Sequence, residues 1–137
     1  MWNNLFKRAV HLIYLKFKID VECETIRFTC YYNHIVVAAL TIHLDSNLVH
    51  ARFRHLYVEP EWQNRKIGSR LMEMGVKWCA ENRITSAEIR PKPPNTYSDL
   101  RKKGKKINLS QSELENFYRR FGFEFKDSNI GVMFKAF

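Results

Sequence analysis

Apolar and polar residues alternate in short runs over the first half of this chain, and the period then changes. The run "LIYLKFKID" alternates closely enough for a strand, while residues 2–10 also fit a short helix. "TIRFTCYY", then Asn33 and His34, then "IVVAALTIHL" form two β-rich runs around a two-residue turn, the pattern of a hairpin. Asn33 tolerates the left-handed conformation such a turn demands. "LVHARFRHLYVE" alternates over part of its length and predicts another strand, closed by Pro60.

From Ile67 the period becomes helical. Ile67, Leu71, Met74, Gly75 and Trp78 fall on one face, and Ser69, Arg70, Glu73, Lys77 and Glu81 fall outside it. "ITSAEIR" reads as a strand stopped by Pro91. The segment that follows is a loop, with prolines, a glycine and the bases Arg101, Lys102, Lys103, Lys105 and Lys106. Ser110 and Glu113 have the spacing of a capping box, which predicts a helix through Phe121 with Gly122 at its C′ position. "FEFK" and "GVMFKAF" read as two closing strands. The order predicts a mixed α/β (α+β) fold around one central sheet. No internal repeat is visible.

Length and composition narrow the function. The 137 residues suffice for one domain with a substantial core, expected to span 1–137, and 45% apolar content argues for a packed globule. The formal net charge of +9 calls for an anionic partner: nucleic acid, a phosphate-rich cofactor, an acidic protein or a membrane surface. Three cysteines, Cys23, Cys30 and Cys79, without paired spacing fit a reducing compartment and argue against a zinc site, and no metal is expected. No apolar run approaches the ~20 residues of a membrane span. Lys7, Arg8, His11, Lys16 and Lys18 interrupt the first apolar segment, and no signal-peptide cleavage site follows. The expectation is a cytoplasmic protein that does not enter a membrane.

The stretch "VEPEWQNRKIGSRLMEMG" carries the most chemistry. It places Gln63, Arg65, Lys66 and Gly68 where a helix is about to begin. The first amides of a helix lack intrahelical acceptors and carry the positive end of the helix dipole. A pyrophosphate can rest on them, with Gly68 permitting close approach and Arg65 and Lys66 adding charge. An ordinary solvated helix start accounts for the same residues equally well.

"LYVEPEWQNRKIGSRL" resembles the acetyl-CoA-binding motif of the GCN5-related N-acetyltransferases, the GNAT family. There an apolar-x-Pro turn is followed by Q/R-x-x-G-x-G/A. Gln63 takes the first position, Lys66 stands in place of the first glycine, and Gly68 is the second. "LENFYRRFGFEF" resembles the family's tyrosine-bearing helix that ends in Gly-Phe, through Tyr118, Gly122 and Phe123. Together the two signatures cover about residues 50–137. No pair of helices is apparent between the first two strands, where the family usually builds part of its acceptor site.

The resemblance implies a mostly antiparallel sheet with one splayed parallel pair, matched here by residues 50–58 and 84–90, and flanking helices. It implies acetyl-CoA as acyl donor and a primary amine as acceptor, whether small molecule, protein or RNA. Leu56, Tyr57 and Val58 become backbone contacts for the pantetheine arm. The amides of Asn64, Arg65, Lys66, Ile67, Gly68 and Ser69 become the pyrophosphate cradle, with Gln63 at its head. Tyr118 becomes the acid that protonates the departing thiolate, although Leu114, Phe117, Tyr118 and Phe121 also form a stripe suited to core packing. An amide near Tyr57 or Val58 would serve the oxyanion. For the base, Glu59 or a water chain is the expectation; Arg52 occupies the position where some relatives carry glutamate, and Glu88, His43, His50 and His55 lie nearby. The loop bases form either a solvated segment or a gate. A nucleic-acid-binding module and a catalytically silent CoA-binding relative remain the alternatives, and a homodimer is left open.

Overall fold

The computed structural model describes residues 14–92, 110–126 and 131–137. The helix considered for residues 2–10 and the basic loop with Arg101, Lys102, Lys103, Lys105 and Lys106 lie outside the described residues. Strand β1 (Leu15–Glu22) turns through Cys23 and Glu24 into β2 (Thr25–Tyr32), which turns into β3 (Ile35–Leu44). Asn33 and His34 both have positive φ, 48° and 69°, which matches the twist of the strands they join. β4 (His50–Val58) leads through a single 3₁₀ turn (Pro60–Trp62) into α1 (Ile67–Glu81). β5 (Ser86–Ile89), α2 (Gln111–Arg119), β6 (Glu124–Phe125) and β7 (Met133–Ala136) complete the order.

The strands form one seven-stranded sheet in the order β1-β2-β3-β4-β5-β7-β6. Every neighbouring pair is antiparallel except β4 and β5. That pair is joined through α1, as a parallel connection requires. The expected α+β sheet with one parallel pair is present.

α1 packs on the sheet through Gly75. A Cβ built there would lie 2.9 Å from Leu40, 3.1 Å from Phe53 and 3.2 Å from Ile42, so only a glycine lets the helix sit this close. The helix buries Ile67, Leu71, Met72, Gly75 and Cys79. Met74 and Trp78, expected on the buried stripe, are half exposed, because the contact at Gly75 rotates the helix toward Met72 and Cys79.

In α2 the capping box forms as expected. The Ser110 hydroxyl accepts from the Glu113 N–H at 3.2 Å, and the Ser110 N–H donates to the Glu113 carboxylate at 3.4 Å. The helix ends at Arg119 with Arg120 as its cap, so Gly122 lies one residue past the expected C′ position. Its φ of +94° and the Lys135 side chain, 2.5 Å from a built Cβ, explain a glycine there.

Candidate active site

The parallel pair opens the sheet. β4 and β5 are in register only over His50–Ser86, Ala51–Ala87, Arg52–Glu88 and Phe53–Ile89. β4 continues to Val58, whereas β5 stops at Ile89 and meets Pro91. On its other edge β4 carries a bulge: Phe53 pairs with Ile42 and His55 with Thr41, leaving Arg54 as the extra residue. A bulge bends its strand and increases its twist, here where the two strands part.

The gap between the parted strands is a cleft of about 760 Å³. Leu56 and Val58 line it from β4, Gln63, Asn64 and the residues from Lys66 to Ser69 from the turn, and Leu114, Phe117 and Tyr118 from α2. The Glu59 N–H donates to Val37 O at 2.8 Å, so Glu59 turns its amide toward β3. Backbone groups alternate along a strand, and those of Leu56 and Val58 therefore face the cleft. The Val58 carbonyl accepts from Gln63 Nε2 at 3.2 Å, which ties the strand end to the turn.

The turn is left-handed at two residues, Asn64 and Lys66, each with φ of 62°. Asparagine adopts this conformation readily; for lysine it costs on the order of 1 kcal/mol. Lys66 is the N-cap of α1, and no side chain caps that helix. The first amides of α1 are thus left to solvent or a ligand. Gly68 keeps the cradle floor low. A Cβ there would stand 3.6 Å from Val58, 3.8 Å from Phe117 and 4.0 Å from Leu56, filling the surface of the cleft without clash.

Most of the residues singled out from sequence meet here: Leu56, Val58, Gln63, Asn64, Lys66, Ile67, Gly68, Ser69 and Tyr118 all line the cleft. Three do not. Tyr57 pairs with Ala39, and by alternation its backbone faces β3. The Arg65 guanidinium lies 4.9 Å over the Trp62 ring. Glu59 sits past the end of β4 with its amide on Val37, and its side chain is not part of the cleft wall. Tyr118 is buried, its ring edge-on to Phe117 at 5.3 Å.

The carboxylate that does reach the cleft is Glu88. Its Oε1 lies 2.6 Å from His50 Nε2 and 3.5 Å from Arg52 Nε. His50 Nδ1 shares a 2.7 Å hydrogen bond with Ser86 Oγ. The start of β4 is pinned by Asp45, whose Oδ1 accepts the Val49 and His50 N–H groups at 3.1 Å each. The His50 N–H above all holds the Asp45 carboxyl below its usual range. On the neighbouring strand His43 is held below its ordinary pKa by burial and then by the Arg54 and His55 charges. From sequence alone, Glu88 and His50 are two of several groups near one edge. Their spacing, His50-x-Arg52 and Ser86-x-Glu88, puts each pair on one face of its strand, but only the register joins the two pairs.

No cysteine lines the cleft among the described residues. Burial pushes the Cys30 thiol up to about 11 and the Cys79 thiol up to about 12, so both stay protonated in the core. Among the described residues, no group of three or more His, Cys, Asp or Glu is placed to hold a metal ion. No helix among them is long and apolar enough to cross a membrane.

Residues 24–125 match the model of the acetyltransferase (GNAT) domain. That is most of the chain, and this protein belongs to the GNAT acetyltransferase family. No curated protein sequence matches it. Among solved structures, it is similar to the PaiA N-acetyltransferase of Thermoplasma acidophilum in complex with coenzyme A. The TM-score is 0.61 at 16% identity, over 97% of this chain and 69% of that one. It is also similar to a GNAT family acetyltransferase of Elizabethkingia anophelis with acetyl-CoA bound, with TM-score 0.62 at 10% identity over 90% and 99% of the two chains. An aminoglycoside 6′-N-acetyltransferase complexed with coenzyme A aligns with TM-score 0.57 at 16% identity, over 82% and 73%. At these identities the likeness is one of fold.

Proposed function

We propose that this protein transfers the acetyl group of acetyl-CoA to a primary amine. One observation carries the reading. An uncapped helix start in a left-handed, lysine-bearing turn and the unpaired edge of β4 face one cleft, and the Tyr118 ring forms part of its wall. The amides of Lys66, Ile67, Gly68 and Ser69 receive the pyrophosphate, and the Lys66 ammonium offsets its charge. The backbone groups of Leu56 and Val58 hydrogen-bond the pantetheine arm like an added strand. This directs the thioester along β4 toward the bulge at Arg54.

Glu88 takes the place expected for Glu59. Held by His50, it accepts the proton that the acceptor ammonium must lose before its lone pair can attack the thioester carbon. A cleft-facing amide of β4 donates to the oxyanion that forms. As the carbon–sulfur bond breaks, the Tyr118 hydroxyl protonates the departing thiolate, giving free CoA and the N-acetyl product. No cysteine lines the cleft among the described residues, and the amine attacks the thioester directly, without an acetyl-enzyme.

The test is a thermal-shift titration with acetyl-CoA beside a thiol-release assay over a panel of alkyl amines. Saturable stabilisation that follows mass action, with amine-dependent CoA release, is expected. Absence of stabilisation at millimolar acetyl-CoA would defeat the reading. Stabilisation without release from any amine would favour a silent CoA-binding relative, the outcome that Lys66 in the place of a motif glycine keeps in view.

A further inference from the structure

The acceptor end of the cleft has a charge pattern of its own. The last paired residues of the parallel strands are Phe53 and Ile89, and the residue after each is an arginine, Arg54 within β4 and Arg90 just past the end of β5. Both are exposed, and both line the cleft. They flank the point where the strands part. One rung behind Phe53 and Ile89 stand Arg52 and Glu88, with Glu88 secured by His50 at 2.6 Å. At ~3.3 Å per residue, each outer arginine lies about 7 Å along its strand from the Glu88 rung. Arg54 is four residues from Val58, about 13 Å along the strand from the turn that cradles the pyrophosphate. On the backbone, Arg54 is therefore set well back from the phosphate-binding amides.

Among the described residues, the same side of the cleft receives no cover from the connection between the first two strands. β1 reaches β2 through two residues, Cys23 and Glu24, so no element of that connection covers the sheet. Adjacent residues on a strand point to opposite faces, so Arg52 and Glu88 lie on the face opposite Phe53 and its helix-side neighbours. Three arginines around a single carboxylate form a site for a molecule that is cationic at one atom and anionic around it. The ammonium meets Glu88, and its flanking anions meet the guanidinium forks.

Resting on the acetyltransferase reading, we infer that the acceptor is an aliphatic amine flanked by carboxylates, as presented by an acidic peptide segment. A nucleic-acid strand fits less well. Its phosphate chain would run against Glu88, and the exocyclic amines of its bases are conjugated and weakly nucleophilic. A polycationic amine is repelled by the rim.

Three nine-residue peptides test this, each with one central lysine and, on either side of it, four glutamates, four serines or four arginines. Binding to the CoA-loaded protein is read by fluorescence anisotropy, which needs no turnover. The glutamate peptide is expected to bind at least tenfold tighter than the serine peptide, and the arginine peptide more weakly than either. In the double variant Arg54→Gln, Arg90→Gln the first two should come within about threefold of each other, while thermal stabilisation by acetyl-CoA persists. Equal binding of the three peptides, no binding of any, or a preference that survives the double variant overturns the proposal. So does a decamer of single-stranded RNA that displaces the glutamate peptide at lower concentration than unlabelled peptide does. Loss of acetyl-CoA stabilisation in the unaltered protein would instead count against the transferase reading itself.

Discussion

His50 Nε2 meets the Glu88 carboxylate at 2.6 Å across two parallel strands, and Glu88 stands one rung from the last pair before those strands separate. The pair is 23% and 21% exposed, reachable by substrate yet partly shielded from water. A carboxylate so placed can receive a proton from a bound ammonium while its partner keeps it oriented. Glu88→Gln preserves size and removes that capacity. Turnover of an alkyl amine is expected to fall by ~10² or more, with acetyl-CoA affinity unchanged. The loss should shrink for an acceptor amine of low pKa, which arrives already neutral. Rates for a high-pKa and a low-pKa amine, compared in both proteins, give the answer; equal losses would assign Glu88 to structure.

Gly68 separates cofactor binding from folding. A Cβ there meets its neighbours at 3.6 Å or more, and its φ is not positive, so Gly68→Ala should fold with unchanged or slightly higher melting temperature. The added methyl would stand on the floor of the phosphate cradle. Acetyl-CoA affinity is expected to drop about tenfold, some 1.4 kcal/mol. Calorimetric titration beside a melting curve reads both; undiminished affinity places the pyrophosphate elsewhere.

At Lys66 the two effects oppose each other. Its φ of 62° stores local strain on the order of 1 kcal/mol, which Lys66→Gly relieves at the expense of a more flexible unfolded chain. A small gain in stability is expected. Affinity for acetyl-CoA should stay similar at low salt but lose part of its salt dependence, because one cation has left the phosphate site. Affinity measured across a salt series would show it. A several-fold tighter complex at every salt concentration would mean that the lysine impairs the site.

Tyr118 lies against Phe117 and is 6% exposed, so its ring is part of the core whatever its hydroxyl does. Tyr118→Phe keeps that ring. If the hydroxyl protonates the thiolate, turnover falls by ~10² with little change in melting temperature or cofactor affinity. If it instead only satisfies a buried partner, stability drops by about 1–3 kcal/mol and the rate per folded molecule holds. Melting temperature and steady-state rate on one preparation distinguish the two.

The local features of this molecule were written in its sequence. Alternation and turn chemistry predicted the hairpin through Asn33 and His34, and β4 has the expected bounds of His50 and Val58. The change of period at Ile67 marked the start of α1, and Ser110 with Glu113 marked that of α2. The turn from Gln63 to Ser69 was recognisable because helix starts and glycines act over a few residues, the range that sequence spacing encodes. Pairing across distant strands decided the rest. The bulge at Arg54 exists only as a mismatch between β3 and β4, and Glu88 reaches His50 only because β5 joins β4 in one register. Glu59 and Tyr57 adjoin the turn in sequence, yet strand alternation turns their amides toward β3 and their side chains are not part of the cleft wall. A shift of two residues in the parallel register would keep Ala87 and Ile89 in the core yet move Glu88 to a different rung, and nothing local in either strand distinguishes those registers.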